Sequence, residues 1–149
     1  MPSFKRILLV EDSDNDVELT LAALEEYHLG NEIVVLRDGA EALDYLYQRG
    51  EHAGRPDGLP VVVFLDLKMP KVDGLEVLRQ MKADPNLSQI PVVMLTSSTQ
   101  EQDLVRSYEF GANAYVVKPV NFQQFVDSVK QLAFFWAIIN EPPPGSVRP

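Results

Sequence analysis

Five short runs of Val, Ile and Leu punctuate the chain, near residues 6 to 10, 32 to 36, 61 to 65, 92 to 96 and 114 to 117. Each is too short for a helix and almost continuously apolar, which predicts strands buried on both faces. The segments between them repeat their apolar residues at helical spacing. Strands alternating with helices predict an α/β fold with a mostly parallel sheet covered on both sides. Asp38 with Glu41, and Ser98 with Glu101, read as capping boxes. Gly30, Gly50 and Gly111 stand where helices would exit through a left-handed residue, and Asp84 and Pro85 close the third helix. The stretch from Gly50 to Pro60, with three glycines and two prolines, reads as a long connection. A partner contact and a plain loop both fit it. Residues 1–140 are expected to form one domain with an extended last helix, and 141–149, with four prolines, a mobile tail.

Four of the five runs end in polar residues. The first ends in Glu11 and Asp12, the third in Asp66, the fourth in Thr96 and the fifth in Lys118 before Pro119. Open α/β sheets place their chemistry at the rim where strands break into loops. A lone acid or threonine there often only caps the next helix or faces water, but coincidence across several strand ends is harder to explain that way. Glu11, Asp12 and Asp66 on neighbouring ends would repel one another unless a cation or protons intervene. Oxygen ligands without His or Cys select magnesium, manganese or calcium over zinc. Lys118 would add a point charge and Thr96 a hydroxyl, giving a site for an anion beside a carboxylate nucleophile.

Three rival motifs fare worse. Asp12, Asp14 and Asp16 open like a calcium loop, but its sixth position is Val17 and its twelfth Ala23, where glycine and glutamate are needed. Haloacid-dehalogenase-type phosphatases share the Asp12 and Asp14 opening yet need an acidic pair beyond their lysine, and after Lys118 only Asp127 and Glu141 remain. A flavodoxin-like electron carrier would need a hydroxyl- and glycine-rich phosphate cradle where this chain has Glu11 and Asp12.

Composition narrows the class further. With 149 residues, 46% of them hydrophobic and 23% charged, the chain suits one globular domain. There is no cysteine, so disulfides and thiolate sites are excluded, which suits a reducing cytosol. No apolar stretch approaches the roughly 20 residues of a membrane span, and no export signal is visible. The formal charge of −9, from 13 basic and 22 acidic residues, opposes direct nucleic-acid binding.

Over about residues 5 to 133 the chain resembles a response regulator receiver domain. The resemblance rests on Glu11 and Asp12, on Asp66 within Leu65 to Gly74, on Thr96 and Ser97, on Gly111 with Ala112, on Tyr115, and on Lys118 with Pro119, all in family order. The text from Thr96 through Phe125, with the long connection after Gly50, is similar to the small regulators of cyanobacterial and bacterial phytochromes. The resemblance implies a doubly wound, flavodoxin-like sheet of order 2-1-3-4-5, with Asp12 and Asp66 meeting between strands one and three. It implies that Asp66 accepts a phosphoryl group from a sensor histidine kinase. Asp12, Asp66 and the Lys68 backbone carbonyl would ligate Mg2+ or Mn2+, Glu11 would act through water, and Lys118 would pair with the phosphoryl group. Thr96 and Tyr115 would form the switch, and Lys118–Pro119 would be a cis peptide. Such a chain is a signalling switch acting on its own phosphorylation, not an enzyme of external turnover. A phosphatase of the dehalogenase type and a receiver-shaped module that is never phosphorylated are the alternatives. With no output domain visible, the signal is expected to pass to another protein.

Phe122, Phe125, Val126, Val129, Leu132, Ala133 and Trp136 give the last helix a core-facing stripe. Phe134, Phe135, Ile138 and Ile139 fall outside it and form a second apolar stripe, which predicts a partner surface. A homodimer through this helix and the fifth-strand face is the expectation, with docking on the kinase as the alternative.

Overall fold

The computed structural model describes residues 6–25, 32–55, 58–97, 99–118 and 121–141. Five strands, β1 (Arg6–Val10), β2 (Glu32–Leu36), β3 (Val62–Leu65), β4 (Val92–Thr96) and β5 (Ala114–Val117), form one sheet in the order β2-β1-β3-β4-β5. Every pairing is parallel. β1 pairs with both β2 and β3, so the chain reverses its direction of winding between β1 and β3, the crevice where such sheets bind ligands. This is the doubly wound, flavodoxin-like order that the resemblance implied.

Five helices follow the strands: α1 (Asp14–Glu25), α2 (Gly39–Leu46), α3 (Gly74–Ala83), α4 (Glu101–Glu109) and α5 (Phe122–Phe134). Alternation along β1 sends Leu8 and Val10 into one core, with Leu43, Leu46, Val77, Leu78 and Met81 of α2 and α3. Ile7 and Leu9 go into the other, with Val17, Leu24, Phe125, Val126 and Val129 of α1 and α5. Phe64 is essentially closed to solvent, and burying a side chain of that size contributes about 1.5–3 kcal/mol. The edge strand β5 is only half covered.

Caps fix where the helices begin. Asp38 accepts from the Glu41 amide at 2.7 Å, the first half of the expected box, while the Glu41 carboxylate lies 3.8 Å from His52. Asp73 caps α3 through the Glu76 amide at 2.9 Å, and Asn121 caps α5 through the Gln124 amide at 3.1 Å. Asp84 ends α3 as expected, and Gly111 leaves α4 at φ +99°.

Three expectations need correction. α4 starts at Glu101 with extended Gln100 as its cap residue, so Glu101 is the first helical residue and not the third that a capping box requires. α2 exits first through Gln48, at φ +54°, and Gly50 is a second left-handed residue opening a 3-10 turn, Gly50–His52. The last helix is not α-helical throughout: beyond Phe134 it widens into a π-helical turn, Phe135–Ile139. The expectations for Gly30, Ser98, the Lys118–Pro119 bond and the tail beyond Glu141 lie outside the described residues, as does the side chain of Ile138.

Candidate functional site

Sheet bonds running one residue past the strands set the site. The Glu11 amide donates to Leu36 O at 2.9 Å, the Asp66 amide to Val10 O at 3.0 Å, and the Lys118 amide to Thr96 O at 2.7 Å. The three side chains therefore leave from backbone held as firmly as the sheet itself. Thr96, only 2% exposed, ends β4 between them. One carboxylate oxygen from each of Glu11, Asp12 and Asp66 lies within 4.8 Å of the others. Glu11 is buried, Asp66 partly buried and Asp12 exposed, so the cluster opens to solvent on one side.

Lys118 crosses from β5 into this cluster. Its ammonium, in a side chain 10% exposed, hydrogen-bonds Glu11 Oε1 and, at 2.7 Å, Asp16 Oδ2. Asp66 Oδ2 stands 3.8 Å from the same nitrogen, while Asp66 Oδ1 accepts the Leu67 amide at 2.8 Å. Burial pushes the Glu11 carboxyl up to about 7; the Lys118 hydrogen bond opposes this and the Asp66 charge adds to it. Burial works against the Lys118 charge as well. The hydrogen bonds it donates to Asp16 and Glu11 and the charges of Asp66 and Glu11 outweigh it, and the ammonium is held above its ordinary range.

The donor set suits a hard divalent cation. Three converging carboxylate oxygens, one of them driven toward its proton by burial, are the arrangement that such an ion relieves. The loop after β3 is drawn tight beside them. Gly74 donates to Leu67 O at 2.7 Å, and a Cβ on Gly74 would lie 2.1 Å from Asp66 O.

Glu11, Asp12, Asp66, Thr96 and Lys118 thus share one end of the sheet. Lys68 is exposed in the loop after β3, and Tyr115 is half-buried in β5, packed against the α2–α3 core. Phe134, Phe135 and Ile139 lie elsewhere, along α5 and the π turn, 41%, 42% and 61% exposed. Trp136 packs against the α1–α5 core and touches the Phe135 ring at 4.9 Å between centroids. Asp16 is the residue that sequence reasoning missed as a member of the site, having entered only through the failed calcium motif. The spacing from Ser13 to Asp16 is that of a helix-capping pair and reads as an acid serving its own helix, so the sequence carried no signal that it joins the site.

The response regulator receiver domain family matches residues 7–130. The chain is 42% identical to the response regulator Rcp1 of Synechocystis sp. (strain ATCC 27184 / PCC 6803 / Kazusa), over 89% of this chain and 88% of that one. Its structure is similar to that of the phosphorylated cyanobacterial phytochrome response regulator RcpA, with a TM-score of 0.89 and 41% identity over 94% and 99% of the two chains. The Mn2+-bound form of Rcp1 gives a TM-score of 0.88 at 40% identity, over 93% and 99%. The bacteriophytochrome response regulator AtBRR is 61% identical, with a TM-score of 0.75, over 94% and 100%. Family match, sheet order and relatives agree, and the chain belongs to the response regulator receiver domains.

Proposed function

We propose that Asp66 accepts a phosphoryl group from the phosphohistidine of a sensor kinase of the phytochrome type, and that the aspartyl phosphate then biases the conformation of β4, α4 and β5. The observation that carries this reading is the Lys118 ammonium 3.8 Å from Asp66 Oδ2, with Glu11 and Asp12 on the adjoining strand end. An Asp66 carboxylate oxygen attacks phosphorus in line. A P–O bond forms as the P–N bond to the imidazole breaks, and the ring nitrogen keeps the electron pair and takes a proton from water. Glu11, Asp12 and Asp66, with the Lys68 backbone carbonyl, are the groups that would hold Mg2+ or Mn2+, Glu11 through water. When bound, the ion supplies Lewis-acid neutralisation of the phosphoryl oxygens. Lys118 supplies positive charge to the same oxygens, so the chain contributes position and electrostatics more than covalent chemistry.

The new group carries nearly two negative charges. In this reading Thr96 at the β4 end turns its hydroxyl toward it, and Tyr115 one strand over moves into the space that Thr96 leaves. The names of the relatives support the phytochrome pairing, and the Mn2+ form of Rcp1 supports the metal. The family is one of signalling regulators, and the strand-end cluster lacks the downstream acidic pair of a dehalogenase-type phosphatase. Phe134, Phe135 and Ile139 serve in this reading as a surface for a second copy, and the signal passes on through a separate protein.

Isotopically labelled acetyl phosphate with Mg2+ tests the assignment. Label is expected at one group per chain in the parent and none in Asp66→Asn. Equal labelling of Asp66→Asn at another residue overturns it, and sustained hydrolysis of a phosphomonoester would favour the phosphatase reading.

A further inference from the structure

The start of α1 is built so that Asp16 cannot serve its own helix. The Ser13 hydroxyl accepts the Asp16 amide at 3.3 Å, which is half of a capping box. In the complete box the acid three residues on would reach back to the Ser13 amide, but Glu11 Oε2 already accepts that amide at 3.2 Å. The Asp16 carboxylate turns away and meets Lys118 at 2.7 Å. Thr20 ties its hydroxyl to Asp16 O at 2.7 Å, and Val17 next door is buried in the α1–α5 core, so the backbone under Asp16 is fixed. An ammonium has three donors, and two point at Glu11 and Asp16. The distance of 3.8 Å to Asp66 is beyond hydrogen-bond range.

We propose that Asp16 is a positioning residue that holds Lys118 in reserve, competing with the incoming phosphoryl group for the ammonium and so setting how readily Asp66 is phosphorylated. The inference rests on Asp66 being the acceptor. Glu11 cannot fill the same role alone, because its carboxylate is also needed beside the cation and by the Ser13 amide. Asp16 is outside the group of converging carboxylates and has Lys118 as its ionic partner. When a phosphoryl group arrives on Asp66, the Lys118–Asp16 hydrogen bond breaks and one from Lys118 to a phosphoryl oxygen replaces it. No proton needs to move.

The test is beryllofluoride binding with Mg2+ by calorimetry on the full chain, together with the rate of labelling by acetyl phosphate, in which acetate leaves with the P–O electron pair. Asp16→Asn keeps shape and removes the charge. It is expected to bind beryllofluoride about tenfold more tightly and to label faster, since a charge-assisted hydrogen bond no longer has to be broken. In a Lys118→Gln background the same change should have no effect, and Asp16→Glu should behave as the parent. In the metal-free chain the Lys118 ammonium 15N signal should weaken in Asp16→Asn, because its protons exchange faster with water. Unchanged or weaker beryllofluoride binding in Asp16→Asn overturns the inference, as does an equal gain without Lys118, which would mean bulk charge alone. If the parent itself neither labels on Asp66 nor binds beryllofluoride, the reading of Asp66 falls and this one with it. A parent that does both, beside an indifferent Asp16→Asn, sinks only the role of Asp16.

Discussion

Three carboxylates, those of Glu11, Asp16 and Asp66, crowd round the Lys118 ammonium, Asp12 adds a fourth beside Glu11 and Asp66, and one cation cannot satisfy them all. Glu11 absorbs the imbalance. Its carboxyl, raised to about 7 by burial, binds a proton in the folded chain at pH values where the unfolded chain has lost it. That contribution to stability is full below about pH 4.5 and disappears as pH rises through about 7 in the metal-free protein. A divalent ion bound at these carboxylates would replace the missing proton. Saturating Mg2+ is therefore expected to raise the thermal midpoint clearly at pH 8 and little at pH 5, as scanning calorimetry with and without the ion would read. An equal shift at both values would mean that the ion binds elsewhere. Glu11, Asp12, Asp66, Thr96 and Lys118 were legible because each ends an apolar run. Asp16 was not, because it lies inside a helix where acids at the first turn are ordinary.

At the scale of elements, the turn from β3 to α3 depends on two close approaches. A Cβ on Gly74 would fall 2.1 Å from Asp66 O, and one on Gly39 would fall 1.9 Å from Val72 O, so neither neighbour has room for a side chain. Gly74→Ala forces the Asp66 backbone or the first turn of α3 to shift. It is expected to lower stability by about 2 kcal/mol or more in urea denaturation and to slow acetyl phosphate labelling with it. Full stability with slowed labelling would show that the shift is absorbed in the loop alone. The pattern Asp66 to Gly74 was readable as a loop, yet the reason for its glycine lies in a contact between backbones, which no periodicity reports. The same holds at the end of α5. Apolar spacing continues smoothly through Trp136, and only the backbone hydrogen bonds reveal that the turn has widened, with the Asn140 amide donating to Phe135 O at 2.7 Å.

For the whole molecule, the two cores on opposite faces leave a few large apolar side chains uncovered among the described residues. Phe134, Phe135 and Ile139 are exposed, and so are Val117 on the edge strand and Leu104, Val105 and Tyr108 on α4. Among the described residues no helix is long and apolar enough to cross a membrane. Exposed apolar side chains of this size are expected to mark a docking surface. Sedimentation of the full chain at micromolar concentration is expected to give the mass of two chains, and replacing Phe134 and Phe135 together by alanine is expected to return one. A monomeric parent would count against the homodimer. An unchanged mass with slower transfer from the kinase would assign the patch to the kinase instead.

The sequence by itself determined the alternation of strands and helices, the burial of the strands on both faces and the polar residues at their ends, because these follow from periodicity and from where apolar runs stop. Only the tertiary structure decided which ends meet. The β1–β3 pairing brings Glu11 and Asp66 together, and Lys118 reaches back more than a hundred residues to Glu11 and Asp16. Such contacts depend on strand order and on which partner is already engaged. The competition that frees Asp16 from its own helix exists only once Glu11 has taken the Ser13 amide.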